Sequence, residues 1–176
     1  MEGNFFAYLQ LLELVTFFSG YPVLYSVILF IAGNNLNNQI TSRIVSLLPF
    51  SYALTGTLYL ALQIKNLYPD YSPENINKWV QHPLLISWAF LSVLFWIPAL
   101  AKRKTLSLIH SLVFFLLMVK DLFVQFTTSN ADRHILKNDM NMFSYSLLIN
   151  LAAISIVVIL SFIIIPPKKD KLPGHQ

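Results

Sequence analysis

The sequence predicts an all-α integral membrane protein, a bundle of five transmembrane helices with the N-terminus outside and the C-terminus cytoplasmic. Three observations carry that prediction. The 176 residues are 56% hydrophobic and only 11% charged, less than half the roughly 25% charge content of an ordinary soluble domain. The apolar residues are gathered into blocks long enough to cross a bilayer instead of short alternating runs. Polar and basic stretches separate the blocks, and lysine and arginine fall unevenly on the two sides they define.

The first span covers residues 5–33. Gly20-Tyr21-Pro22 lies in its middle, and proline removes a backbone donor and crowds the preceding turn, which predicts a kink near Ser19. The polar run Asn34-Asn35-Leu36-Asn37-Asn38-Gln39 is a turn. The second span, 44–68, contains Pro49 and ends at Lys65-Asn66. A loop rich in turn residues, Pro69-Asp70-Tyr71-Ser72-Pro73-Glu74, leads into a short amphipathic piece around Trp79. Tyr68, Tyr71 and Trp79 suit an interfacial aromatic belt. The third span, 83–101, opens on Pro83, which a first helical turn accepts. The tight Lys102-Arg103-Lys104 connection then makes it an antiparallel hairpin with the fourth span, 105–128. The polar segment from Ser129 to Asn141 is a solvated loop, and the fifth span, 142–165, is closed by Pro166-Pro167 and a basic tail. The whole chain, 1–176, forms a single transmembrane domain.

Orientation follows the distribution of basic residues. With the tail inside, the cytoplasmic side holds Arg43, Lys102, Arg103, Lys104, Lys168, Lys169 and Lys171. The outer side holds Lys65, Lys78, Arg133 and Lys137, offset by Asp70, Glu74, Asp132 and Asp139. The segment before the first span lacks the basic region of a signal peptide, and its apolar block is longer than one, so it reads as a genuine span. A multi-pass protein of the plasma or inner membrane is the expected setting.

Several classes of chemistry find no support. The absence of cysteine excludes a disulfide framework and thiol chemistry. The four histidines show no metal-ligand spacing, so no metal and no cofactor is expected. There is no glycine-rich phosphate loop and no nucleophile elbow, so no catalytic residue is assigned. The net charge of +4 is scattered and points to no nucleic acid.

The fourth span is the least ordinary, because it carries His110, Lys120 and Asp121 in an apolar block, and ionisable groups inside a bilayer face a protein interior or a wet cavity. At about 1.5 Å per residue, Glu13, Lys120, Asp121 and Asn150 fall at a similar depth in the outer half of the bilayer. Helical phase adds inward stripes: Ser107, His110, Phe114, Met118, Asp121, Gln125 and Thr128 on span four; Tyr52, Gly56, Tyr59 and Gln63 on span two; Gln10, Glu13, Thr16 and Gly20 on span one. Span five offers a small and polar seam of Ser146, Asn150, Ala153, Val157 and Ser161. Lys120 points about 100° away from its stripe, which makes Glu13–Lys120 the structural ion pair to expect. Glu13, Asp121, Asn150, Tyr59 and Gln125 are the ligand- or ion-binding candidates, and a relay from Glu13 or Asp121 to His110 is the further expectation.

In span count and length alone the chain resembles the five-helix translocator proteins of the tryptophan-rich sensory family. Its three tryptophans do not reproduce that family's Trp-Pro-rich pattern, and no residue role is carried over. Two functions are expected, and a lipid-modifying membrane enzyme, which would lose turnover on changing His110 or Asp121, stands third behind them. The first is a non-enzymatic subunit or accessory component of a larger membrane complex, partnered by lipids and by other membrane subunits or copies of itself. The second is an oligomeric transporter, channel or ligand sensor with an outward-facing polar pocket.

Overall fold

The computed structural model describes the backbone of residues 2–33, 39–127 and 133–164, and side chains within 8–33, 39–77, 80–127 and 138–164. Every regular element in it is helical. Four helical segments, Tyr8–Gly33, Gln39–Leu67, Lys104–Thr127 and Asn138–Ile164, are long and apolar enough to cross a membrane. Large apolar side chains such as Phe30, Leu84, Phe123 and Ile163 are exposed on the outer faces, while Gln10, Ser107, His110 and Asn150 are buried. That inversion of the soluble pattern, on long segments whose backbone is helical along most of its length, fits a helical membrane bundle.

The first segment is two helices, α1 (Glu2–Phe18) and α2 (Tyr21–Gly33), broken at Ser19-Gly20 where the kink was expected. Pro22 has no N–H to offer the Phe18 carbonyl, so the ladder stops there. The Ser19 amide and hydroxyl both turn back to the Val15 carbonyl, at 3.0 and 2.7 Å. α3 (Gln39–Leu67) continues unbroken past Pro49 and forms the centre of the bundle. α4 (Pro73–Trp79) is the short piece around Trp79, capped by the Ser72 hydroxyl on the Asn75 amide.

The third expected span is not a continuous helix. It comprises α5 (Pro83–Phe90), a 3₁₀ stretch (Leu91–Trp96), a bend at Ile97 and α6 (Pro98–Ala101). Pro98 explains the bend: a residue preceding proline is driven out of the helical region, and Ile97 is extended with φ −74° and ψ 119°. The 3₁₀ stretch lies against α3, where Gly56 faces Ser92 so closely that a Cβ on Gly56 would fall 1.9 Å from the Ser92 hydroxyl.

α7 (Lys104–Thr127) and α8 (Arg133–Ile164) complete the bundle. α8 begins about two and a half turns before the expected start of the fifth span, absorbing much of the predicted loop into one 32-residue helix. The stripes read from the sequence are turned inward. Tyr52, Gly56, Tyr59 and Gln63 of α3 are buried, as are Ser107, His110, Phe114 and Met118 of α7, and Ser146, Asn150, Ala153 and Val157 of α8. Phe18 joins these helices, stacking on Phe114 at 4.8 Å and meeting Tyr52 and Tyr59 edge-on at 5.7 and 5.4 Å.

The ends of the bundle differ chemically. One end brings Gln10 to the amides of Gln81 and His82, and Glu13 to Gln63 and Asn66. The other holds Arg43, whose guanidinium bonds the Ser161 hydroxyl at 2.9 and 3.1 Å as well as the Ser161 carbonyl, and lies over the Phe162 ring. These two ends are called the acidic and the basic end below.

Candidate functional site

The polar groups predicted to meet at one depth are distributed over two levels. Asn150 lies deep, where α1 breaks. Its amide donates to the Phe17 carbonyl and the Ser146 carbonyl, both at 2.8 Å, and its oxygen accepts from Thr55 at 3.3 Å. The Phe17 carbonyl is one that the break strips of its helical partner, so Asn150 acts as a tie among α1, α3 and α8. Ser146 does the same for the other side of the break, accepting the Gly20 amide at 2.8 Å. Asn150 sits eleven residues beyond Asp139 on the same helix, about 16 Å along its axis. The early start of α8 is what separates the two levels.

Glu13 is held by α3. Its two carboxylate oxygens accept from Gln63 at 2.7 Å and Asn66 at 3.2 Å. Among the described residues no ion pair joins it to Lys120, which sits on the exposed side of α7. Two neutral amides, both from the end of α3, thus take the place expected for the lysine. The nearby Tyr59 ring packs edge-on against Phe17 at 5.5 Å, and its buried hydroxyl makes no hydrogen bond among the described residues.

His110 belongs to a separate arrangement. Its Nδ1 meets the Tyr52 hydroxyl at 2.7 Å and its Nε2 meets the Trp88 carbonyl at 2.8 Å. A carbonyl only accepts, so the ring proton sits on Nε2, and Nδ1 accepts from Tyr52. The Trp88 indole lies flat on the imidazole at 4.8 Å and returns a hydrogen bond to the His110 carbonyl at 3.1 Å. Tyr21, 4.5 Å from the Tyr52 ring, bonds Ser107 at 2.9 Å. Both imidazole nitrogens are engaged, and buried Phe114 and Met118 lie on the α7 stripe between His110 and Asp121. Here the polar stripe of α7 serves to lock α5 and α3 onto it.

The remaining candidates line a space. A cavity of about 350 Å³ opens at the acidic end among α1, α7 and α8. Leu11, Leu12, Val15, Met118, Val124 and Met142 form its apolar wall, while Lys120, Asp121, Gln125, Asp139 and Tyr8 supply its polar groups. Gln125 donates to the Asp139 carboxylate, tying α7 to α8 at the rim. Asp139 and Lys120 line the same cavity as Asp121 and act on it electrostatically. The wall therefore carries two carboxylates against one ammonium. Sequence reasoning placed Asp139 in a solvated loop, whereas it is buried on a helix. A helical reading continued upstream of Met142 would have put Asp139, Met142, Ser146 and Asn150 on one stripe.

Glu13, Asn150, Tyr59 and His110 are outside the lining of this cavity, and Asp121 and Gln125 are within it. Among the described residues no three His, Asp or Glu side chains converge as a metal ion would require. Fold and site together describe an all-helical bundle with four segments apolar enough to cross a membrane and, among the described residues, a mixed apolar and acidic cavity near one end. No protein-family model matches the chain, nor does any curated protein or solved structure.

Proposed function

We propose that this is a five-span membrane protein that binds a small amphiphile in the α1/α7/α8 cavity, acting as a ligand sensor or carrier. The observation that carries the reading is the composition of the cavity: an apolar chamber of about 350 Å³ with Asp121 and Asp139 on its wall and Lys120 beside them. Ligand sites of this kind are largely apolar with a few placed polar groups, and this volume is at the small end of their range. The excess of carboxylate favours a ligand with one positive centre on a short apolar body.

The fifth crossing is Pro83–Ala101. Although broken, it runs from His82 at the acidic end to Lys102 at the basic end. Its α-helical parts rise about 1.5 Å per residue and its 3₁₀ part about 2.0 Å, which brings it to roughly the 30 Å of a hydrocarbon core. Arg43, Lys102, Arg103 and Lys104 mark the basic end as cytoplasmic. The N-terminus is then outside, and the cavity opens toward the outer face of a plasma or inner membrane.

Binding is tested by titrating the purified protein with linear alkylamines and the alcohols of equal length, following heat release. The amine binds and the alcohol does not, and Asp121→Asn weakens the amine by about tenfold or more, as losing a charge-assisted contact should. Glu13→Gln leaves the affinity unchanged. Equal affinity for amine and alcohol, or a folded Asp121→Asn protein that binds as before, would overturn the reading.

The accessory-subunit reading is favoured by one observation. The outer face of α8 exposes Asn141, Ser144 and Ser155 among Tyr145, Leu148, Leu151 and Ile159. Small and polar residues on an outward face allow a neighbouring helix to approach closely.

A further inference from the structure

The charges of this chain are segregated by end. No Asp or Glu occurs between Glu13 and Asp70, between Glu74 and Asp121, or between Asp139 and Asp170. Consequently every described acidic residue lies toward one end, and among the described residues the basic end has cations without a carboxylate to answer them. Arg43 is engaged there by Ser161 and Phe162. Lys102, Arg103 and Lys104 have no such partner among the described residues.

A cleft of about 320 Å³ opens beside them, lined by Ser46 and Phe50 of α3, Pro98 and Ala101 of α6, and Lys102 and Lys104. The 24-residue α7 begins at Lys104. The Leu106 amide in its first turn meets the Arg103 carbonyl at 2.9 Å, and the helix presents the positive end of its dipole there. Lys102, Lys104 and a helix start thus line one side of the cleft. The other side is apolar and continuous with the lipid-facing surface: Phe50 packs on Trp96 at 6.3 Å, and Trp96 and Ile97 are exposed. The Trp96 indole is fixed by a 2.9 Å hydrogen bond to Thr57.

We propose that this cleft binds an anionic phospholipid, with its phosphodiester on Lys102, Lys104 and the start of α7 and an acyl chain along Phe50, Pro98 and Trp96. A soluble phosphate would use the cations but gain nothing from the apolar wall, whereas a zwitterionic lipid would bring its own cation against the lysines. Basic pockets between membrane helices recognise anionic headgroups by this division of labour. The proposal needs the chain to lie in a membrane, but it is independent of any ligand in the cavity at the opposite end.

The test uses the full chain in neutral detergent, with phosphatidylglycerol, phosphatidylcholine or inorganic phosphate added and lipid retention read by native mass spectrometry. Phosphatidylglycerol is expected to be retained roughly tenfold to thirtyfold better than phosphatidylcholine, the preference two lysines supply. Inorganic phosphate at equal concentration does not displace it. Lys102→Gln/Lys104→Gln removes the preference, and Lys65→Gln, at the other end, keeps it. In the unaltered protein, a phosphatidylglycerol with a photoreactive acyl chain labels peptides within 46–50 and 94–101. Equal retention of the two lipids, displacement by phosphate, an undiminished preference in the double variant, or labelling confined to other helices would each overturn the assignment.

Discussion

At the scale of single residues, the polar side chains of this bundle divide by whether their hydrogen bonds are complete. Asn150 is complete: both of its amide bonds and its carbonyl are used, across three helices. Removing it leaves the Phe17 carbonyl at a broken helix end without its donor. Asn150→Ala is therefore expected to lower stability by about 1–3 kcal/mol, the cost of an orphaned buried acceptor. Thermal unfolding in detergent checks it, and an unchanged midpoint would mean that the tie is not made. Glu13 is likewise satisfied by two amides. Asp121 instead lines a cavity beside a second carboxylate. That contrast moves the functional weight from Glu13 to Asp121.

At the scale of elements, the interruptions matter more than the regular turns. The α1–α2 break exists because Pro22 withholds one donor, and it is tolerated because α8 supplies Ser146 and Asn150 to the freed groups. The same crossing demands glycine. A Cβ on Gly20 would stand 2.7 Å from backbone atoms of both Ser146 and Leu147, which cannot rotate away. Gly20→Ala should cost about 1–3 kcal/mol, as overpacking does. Gly33→Ala, where nothing lies within 4 Å of the added carbon, should leave the unfolding midpoint nearly unmoved. Equal midpoints for the two variants would refute the close approach of α1 and α8. The α5–α6 interruption follows the same logic: Pro98 sets the bend, and Gly56 lets the 3₁₀ stretch settle against α3.

At the scale of the molecule, the proposed orientation rests on the segregation of charge and the proposed count of five crossings on the broken third segment. Because the chain has no cysteine, single cysteines report accessibility without background. Positions 70 and 141 are expected to react with an impermeant thiol reagent from outside, and position 103 only after permeabilisation. Labelling of 70 and 103 from the same side would reduce the crossings to four. Ser144→Cys and Ser155→Cys serve the accessory reading, since a partner helix on that face of α8 yields a disulfide-linked or cross-linked species in membranes.

Much of this was legible in the sequence. The long apolar blocks, the break near Ser19 and the inward stripes of α3, α7 and α8 follow from hydropathy, proline chemistry and a period of 3.6, all of which are local. Pro98 was equally visible in Trp96-Ile97-Pro98, and its effect on the third span could have been drawn from the same rule. Only the tertiary structure decided which polar groups meet. Side chains of similar depth choose partners by azimuth and by a few ångströms of helix offset, and α8 began earlier than its apolar block. That offset carried Asn150 down to the α1 break and brought Asp139 up to Asp121. Glu13 found two amides on α3 before any lysine, and Asp121, displaced from both, was left facing the cavity.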